Sequence, residues 1–172
     1  MHWQPTPEEI AEEIACGRLY GEWDALDPAG LAVFMADYPG EWWVVGGWAI
    51  DAFTGVARPH DDIDLVIWLR DHATAPWLLD CILSEDRDGL WVSRRDPDHV
   101  LPLADVTWVA ADGIRYMRPE VVLHHKARLD RGKDRADLEV AWPLLGAAEQ
   151  AWLRDAVRRE SADHRWLGLI GA

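Results

Sequence analysis

Apolar residues recur at helical spacing near both ends of the chain and alternate with polar ones in its middle, a pattern that predicts helices flanking a small sheet. Thr6-Pro7-Glu8-Glu9 is a capping-box start with proline at the first helical position, and Ile10, Ile14 and Cys16 follow on one apolar face before Gly17. Asp27-Pro28 repeats that signal, and Leu31, Phe34 and Met35 continue at helical spacing until Pro39-Gly40 closes the segment.

The pattern then changes period. Glu41 to Val45 is a short β-prone run ending in Gly46-Gly47, after which Trp48 to Thr54 predicts a helix that stops at Gly55. Ile63, Leu65 and Ile67 alternate with Asp62, Asp64 and Val66, which predicts a strand with two acids on one face. Trp77 to Leu83 reads as another strand, carrying Asp80, and Asp88-Gly89 turns the chain into Leu90 to Arg94. Val106 to Ala110 and Ile114 to Met117 flank a further turn. From Pro119 the period is helical again, over Pro119 to Leu129, Asp134 to Trp142 and Ala147 to Glu160. These elements predict an α/β (α+β) protein: a core over residues 1–118 with N-terminal helices and a small mixed sheet, then a helical part over 119–172 flanking the cleft.

Composition narrows the classes. The longest apolar stretch, Trp42 to Ile50, is broken by two glycines and falls short of the roughly 20 residues that cross a bilayer. The opening residues show no signal-peptide pattern, so the expected location is the cytoplasm and no membrane partner is expected. Cys16 and Cys81 form neither a disulfide framework nor a zinc pair and read as buried thiols. A formal net charge of -14 argues against a surface for duplex nucleic acid, and suits a cationic small molecule better. Oligomeric state is not encoded in any pattern here.

Chemistry concentrates in Gly46-Gly47-Trp48-Ala49-Ile50-Asp51 and His60-Asp61-Asp62-Ile63-Asp64. Carboxylates at i and i+2 of a strand project from one face; two of them about 4 Å apart repel by roughly 4 kcal/mol at an effective dielectric of about 20. Such a pair wants a divalent cation or a proton. A glycine pair opening a helix supplies the complement, because helix-start N–H groups cradle phosphate and glycine allows its close approach. Arg58 either touches phosphate or pairs with an acid. Lys126 and Lys133 are either solvated helix positions or anion contacts, and Arg94-Arg95 offers a phosphate or substrate contact. His124-His125 has no partner at zinc-ligand spacing.

The Gly46-Gly47 turn, the short helix through Asp51, Arg58, and His60-Asp61-Asp62-Ile63-Asp64-Leu65 together resemble the small aminoglycoside and lincosamide nucleotidyltransferases of the DNA polymerase beta-like superfamily. A looser likeness to an aminoglycoside-adenylyltransferase-like branch runs through Trp91 to Asp96 and Pro119-Glu120 to Lys126, Lys133-Asp134 and Asp137. The resemblance implies a polymerase beta-like fold and Mg²⁺, as two ions, held by Asp62, Asp64 and a third carboxylate. Asp80 is the first choice for that third acid, as ligand or base, and Asp105 the reserve. It further implies Gly46, Gly47, Arg58 and Lys126 as contacts to a nucleoside triphosphate, with ATP the expected donor. Transfer of a nucleoside monophosphate to a hydroxyl of a small, cationic, aminoglycoside-like or lincosamide-like acceptor is the implied reaction. The alternatives are a toxin-type enzyme acting on protein or tRNA, or a nucleotide-binding module without catalysis.

One departure stands out. The family pattern places a helix and a longer loop between the acid-x-acid strand and the strand with the third carboxylate, and the interval from Asp64 to Asp80 is short for both. It reads either as a trimmed fold or as a missing segment near Ile67-Trp68. Taken literally, residues 62–70 and 75–83 pair as an antiparallel hairpin with Asp64 nearly opposite Asp80 or Ile82.

Overall fold

The computed structural model describes residues 6–20, 26–74 and 81–171. Helix α1 spans Pro7–Tyr20 and continues through Gly17, where the sequence predicts a stop. Ile10 and Ile14 are exposed on it rather than packed, so their spacing does not mark a core face. Helix α2, Pro28–Phe34, begins where Asp27 accepts the Gly30 N–H at 2.7 Å, an N-cap that satisfies one of the orphan donors of the first turn. Leu31 and Met35 bury on its inner side, while Phe34 stays partly exposed.

Strand β1, Trp42–Val44, runs into helix α3, Gly46–Thr54, which starts two residues earlier than its apolar pattern suggests and ends on Gly55 in the left-handed region. Strand β2 is Leu65–Trp68, followed by a 3-10 turn over Leu69–Thr74 and then strand β3, Cys81–Ser84. The short strands β4 (Asp86–Arg87), β5 (Leu90–Val92) and β6 (Val100–Leu101) make a separate three-stranded sheet. Asp88 and Gly89, both at positive φ, form its first turn, as the Asp-Gly pair predicts. Helix α4, Leu103–Val106, leads into strands β7 (Thr107–Val109) and β8 (Arg115–Met117). Helices α5 (Pro119–Ala127), α6 (Gly132–Ala141), α7 (Ala147–Glu160) and α8 (Arg165–Leu169) complete the chain.

The main sheet has the order β3-β2-β1-β8-β7 and is mixed: β2 lies antiparallel to β1, β3 parallel to β2, β8 parallel to β1 and β7 antiparallel to β8. Two expectations are corrected here. Residues 62–70 and 75–83 do not form an antiparallel hairpin; β3 pairs with β2 in parallel, Leu65 beside Cys81 and Trp68 beside Ser84. The stretch between Trp68 and Cys81 is far longer than the two to five residues of a hairpin loop, and its length suits a crossover to a parallel neighbour. The acids also precede β2 rather than sit within it.

One apolar cluster runs from Trp43 and Ile67 in the sheet to Ile50, Leu123, Leu138, Leu153 and Trp166 in the helices. Helix α3 packs on α5 and α6, so the helical C-terminal residues share their core with the sheet. Trp43 and Trp68, both fully buried, meet edge to face at 5.1 Å. Among the described residues no helix is long and apolar enough to cross a membrane.

Candidate active site

Register decides what lies together. Val44 pairs with Leu65, and the Val45 N–H extends the ladder by donating to the Asp64 carbonyl at 3.0 Å. Asp64 thus stands at the entry to β2, directly across from the residue before α3. The next residue, Gly46, has φ +68, a conformation that disfavours any side chain, and a Cβ there would collide with the Asp64 carboxylate. The glycine is needed twice, for the bend and for the close approach. Among the described residues no side chain caps α3, which leaves the N–H groups of its first turn without a side-chain acceptor.

A second set of contacts clips the loop from Gly55 to Asp64 onto α3. The Trp48 indole N–H donates to the Asp62 carbonyl at 3.0 Å and its ring stacks on His60 at 4.3 Å. His60 Nε2 lies 2.7 Å from Asp51 Oδ2, and the same oxygen accepts the Arg58 backbone N–H at 3.1 Å. Asp51 is therefore the loop's anchor on α3. Gly47 is constrained by this packing, since a Cβ on it would meet the Arg58 guanidinium and the His60 ring.

The Arg58 guanidinium, which lies against Gly47, is held there by an acid of a neighbouring helix. Its Nε and Nη2 donate to the two oxygens of buried Asp137 on α6, at 3.0 and 3.3 Å. Lys126 of α5 joins the same carboxylate at 2.8 Å and also approaches Asp134 at 3.5 Å. Asp134 is bound in turn by Arg131, whose Nε donates at 2.9 Å. Of the two openings left by the sequence, Arg58 takes the pairing with an acid. Lys126 is nearly buried between two acids, yet its charge, with those of Lys133 and Arg131, acts on Asp64.

Asp64 itself has its carboxyl pushed above the ordinary range, first by burial and then by the negative charge of Asp62, against the pull of those three cations. Asp62 is exposed beside it. Asp80 lies outside the described residues. Asp105, the reserve, is exposed on α4 ahead of the edge strand β7, separated from β2 by β1 and β8. Among the described residues no group of three His, Cys, Asp or Glu side chains forms a complete metal cluster, so Asp62 and Asp64 stand as a pair. The sequence names Asp134 and Asp137 only within the looser likeness, without a role, and Arg131 not at all; the charged stretch Arg131 to Glu139 carries no sign that two of its acids face inward.

The model of the aminoglycoside-2''-adenylyltransferase family matches residues 32–86, a window that holds the Gly46-Gly47 corner, Arg58, Asp62 and Asp64. No curated protein matches the sequence. Among solved structures, the solution structure of the antibiotic-resistance factor ANT(2'')-Ia superposes with a TM-score of 0.54 at 21% identity, over 77% of this chain and 89% of that one. The crystal structure of ANT(2'')-Ia in complex with adenylyl-2''-tobramycin gives 0.54 at 22% identity, over 76% and 94%. At such identities the likeness establishes a shared fold, a mixed sheet with flanking helices, and the family match falls on the part of the chain that carries the acids.

Proposed function

We propose that the chain is a nucleotidyltransferase of the aminoglycoside-adenylyltransferase kind, moving a nucleoside monophosphate, AMP from ATP, to a hydroxyl of a small acceptor. One observation carries this reading: the Asp64 carboxylate packed against Gly46 at the uncapped start of α3. That corner sets an acid for a cation beside N–H groups for a phosphate, which is the pairing phosphoryl-group chemistry requires.

The donor set fits a hard divalent cation. Asp62 and Asp64 offer oxygen ligands only, and the ionised form of Asp64 is disfavoured until positive charge compensates it. Mg²⁺ held by these acids, as one ion or two, would supply neutralisation of the charge that develops on the transferring phosphorus centre. Asp80, outside the described residues, remains the proposed third carboxylate on the resemblance to the family. Its role would be to accept the proton of the attacking hydroxyl or to complete the ligand set.

The remaining residues position. Open N–H groups of α3 hold the triphosphate, and Lys126, Lys133 and Arg131 make the surroundings of Asp64 favourable to an anion. Gly47 lets Arg58 and His60 pack against the start of α3, and Arg58 ties the loop to α6 through Asp137. Aminoglycosides are the first acceptors to try, since tobramycin is the adenylylated group in the ANT(2'')-Ia complex.

Incubation with Mg-ATP and a panel of aminoglycosides and other polyhydroxylated small molecules tests the reading. Pyrophosphate release with mass gain of one AMP on an acceptor is expected, and equal release by wild type and Asp64→Asn would overturn the mechanism.

A further inference from the structure

Next to the acid corner, on the same face of the sheet, lies a cavity of about 380 Å³. Its floor contains Val45, the cross-strand neighbour of Asp64, and Val66, two residues along the same strand direction and so on the same face. Trp91 of β5 forms an apolar wall. Over the opening stand three guanidiniums, Arg94 and Arg95 from the segment after β5 and Arg128 from the end of α5.

The charge of this cavity runs against the rest of the molecule. The chain has 31 acidic residues and 17 basic ones, yet among the described residues none of these three arginines is ion-paired. Arg95 donates to the His125 carbonyl at 3.2 Å, a neutral partner, and Glu160 acts on it only at longer range. Three like charges held together over a low-dielectric floor are costly unless an anion completes them. The Arg95 guanidinium is accordingly pushed down by burial and by Arg128 and Arg94, and His125 in the same lining is driven down to about 4, so it adds no charge of its own at neutral pH. These cations are also distinct from Lys126, Lys133 and Arg131, which act on Asp64.

We infer that this cavity binds the acidic group of a small, largely apolar or aromatic molecule, a carboxylate or phosphate monoester, at a site separate from the triphosphate corner. The apolar floor receives the body and the arginines receive the anion by charge-assisted hydrogen bonds. Two sources share this chemistry: an acidic arm of the acceptor whose hydroxyl points toward Asp64, or an effector that does not react. The inference does not depend on nucleotidyl transfer.

Calorimetry with phenyl phosphate, benzoate and uncharged benzyl alcohol tests it on the whole chain. Phenyl phosphate should bind wild type and Asp64→Asn equally, and lose about tenfold or more in Arg94→Gln and in Arg128→Gln, whose exposed side chains can be changed without loss of a structural partner. Equal binding of benzyl alcohol, affinity unmoved by either arginine variant, or displacement of the probe by ATP would overturn the proposal, the last by merging the cavity with the nucleotide site. A hydroxybenzoate with Mg-ATP then separates the two sources: a nucleotidylated product assigns the cavity to the acceptor, occupancy without product assigns it to an effector, and either upholds the site.

Discussion

The carboxylate of Asp64 occupies the space that a side chain at Gly46 would need. Gly55, at the other end of the same helix, has an equally left-handed backbone but open space around it. Alanine at Gly55 should therefore cost only the backbone term, about 1 kcal/mol, and leave function alone. Alanine at Gly46 should cost more and displace Asp64 as well, lowering turnover at least ~100-fold, beyond the loss typical of residues that merely orient metal ligands. Thermal unfolding and pyrophosphate release on the two variants check this; equal behaviour of both would dissociate the corner from the chemistry.

Asp64 sets a pH and metal dependence whose sign is fixed. Its carboxyl is raised in the fold, by burial first and by Asp62 second, so its contribution to stability is fully present below about pH 4, the unfolded value, and is lost as pH rises through the folded one. At neutral pH with chelator, Asp64→Asn should melt above wild type, and the gap should close toward acid. Mg²⁺ should stabilise wild type, by about 2.7 kcal/mol at about 100 times its Kd, and leave the variant unmoved. Melting curves with EDTA and with Mg²⁺ decide it.

The acid corner was legible in the sequence because its signals are local: a glycine pair after a β-prone run, a short helix, and an acid-x-acid step into an apolar strand. What lies around the corner was not. Asp137 and Asp134 sit in a charged helix that reads as solvated, and their partners Arg58 and Lys126 are remote in sequence or on another helix. The direction of the β2–β3 pairing escapes the sequence for a related reason. Alternation tells which residues share a face, but parallel and antiparallel neighbours leave the same alternation, and only the length of the connection separates them. The short strands β4 and β6 and helices α4 and α8 are too brief for any period to show.

Buried Asp137 joins three segments, the loop through Arg58, helix α5 through Lys126, and its own helix α6. Removing it takes the carboxylate partner of Arg58 and leaves nearly buried Lys126 with Asp134 at 3.5 Å, so Asp137→Ala should destabilise the protein by about 3 kcal/mol, the loss expected when one partner of a buried pair is deleted. Arg58→Ala should cost less, since Asp137 keeps Lys126 at 2.8 Å. Turnover should fall in both, because each releases the loop that carries Asp62. Chemical denaturation checks the ranking, and an Arg58→Ala variant as unstable as Asp137→Ala would show that the lysine contact contributes little.

Asp134 predicts the opposite pH limb from Asp64. Burial alone would raise it, but the side-chain hydrogen bond from Arg131, the charge of Lys126 and the Arg131 backbone N–H together hold it below the usual carboxylate value. A depressed group stabilises the fold above its unfolded pKa, about 3.9, and that stability drains away as pH falls through the lower folded value. Wild type should therefore lose stability steeply below about pH 4, with Lys126 and Arg131 left facing a neutral acid. Asp134→Asn should be less stable at pH 7 and its profile flatter over the same acid range. Denaturation midpoints from pH 7 down into that range measure both slopes; parallel profiles for wild type and variant would mean that the α5–α6 tie does not set the acid limb.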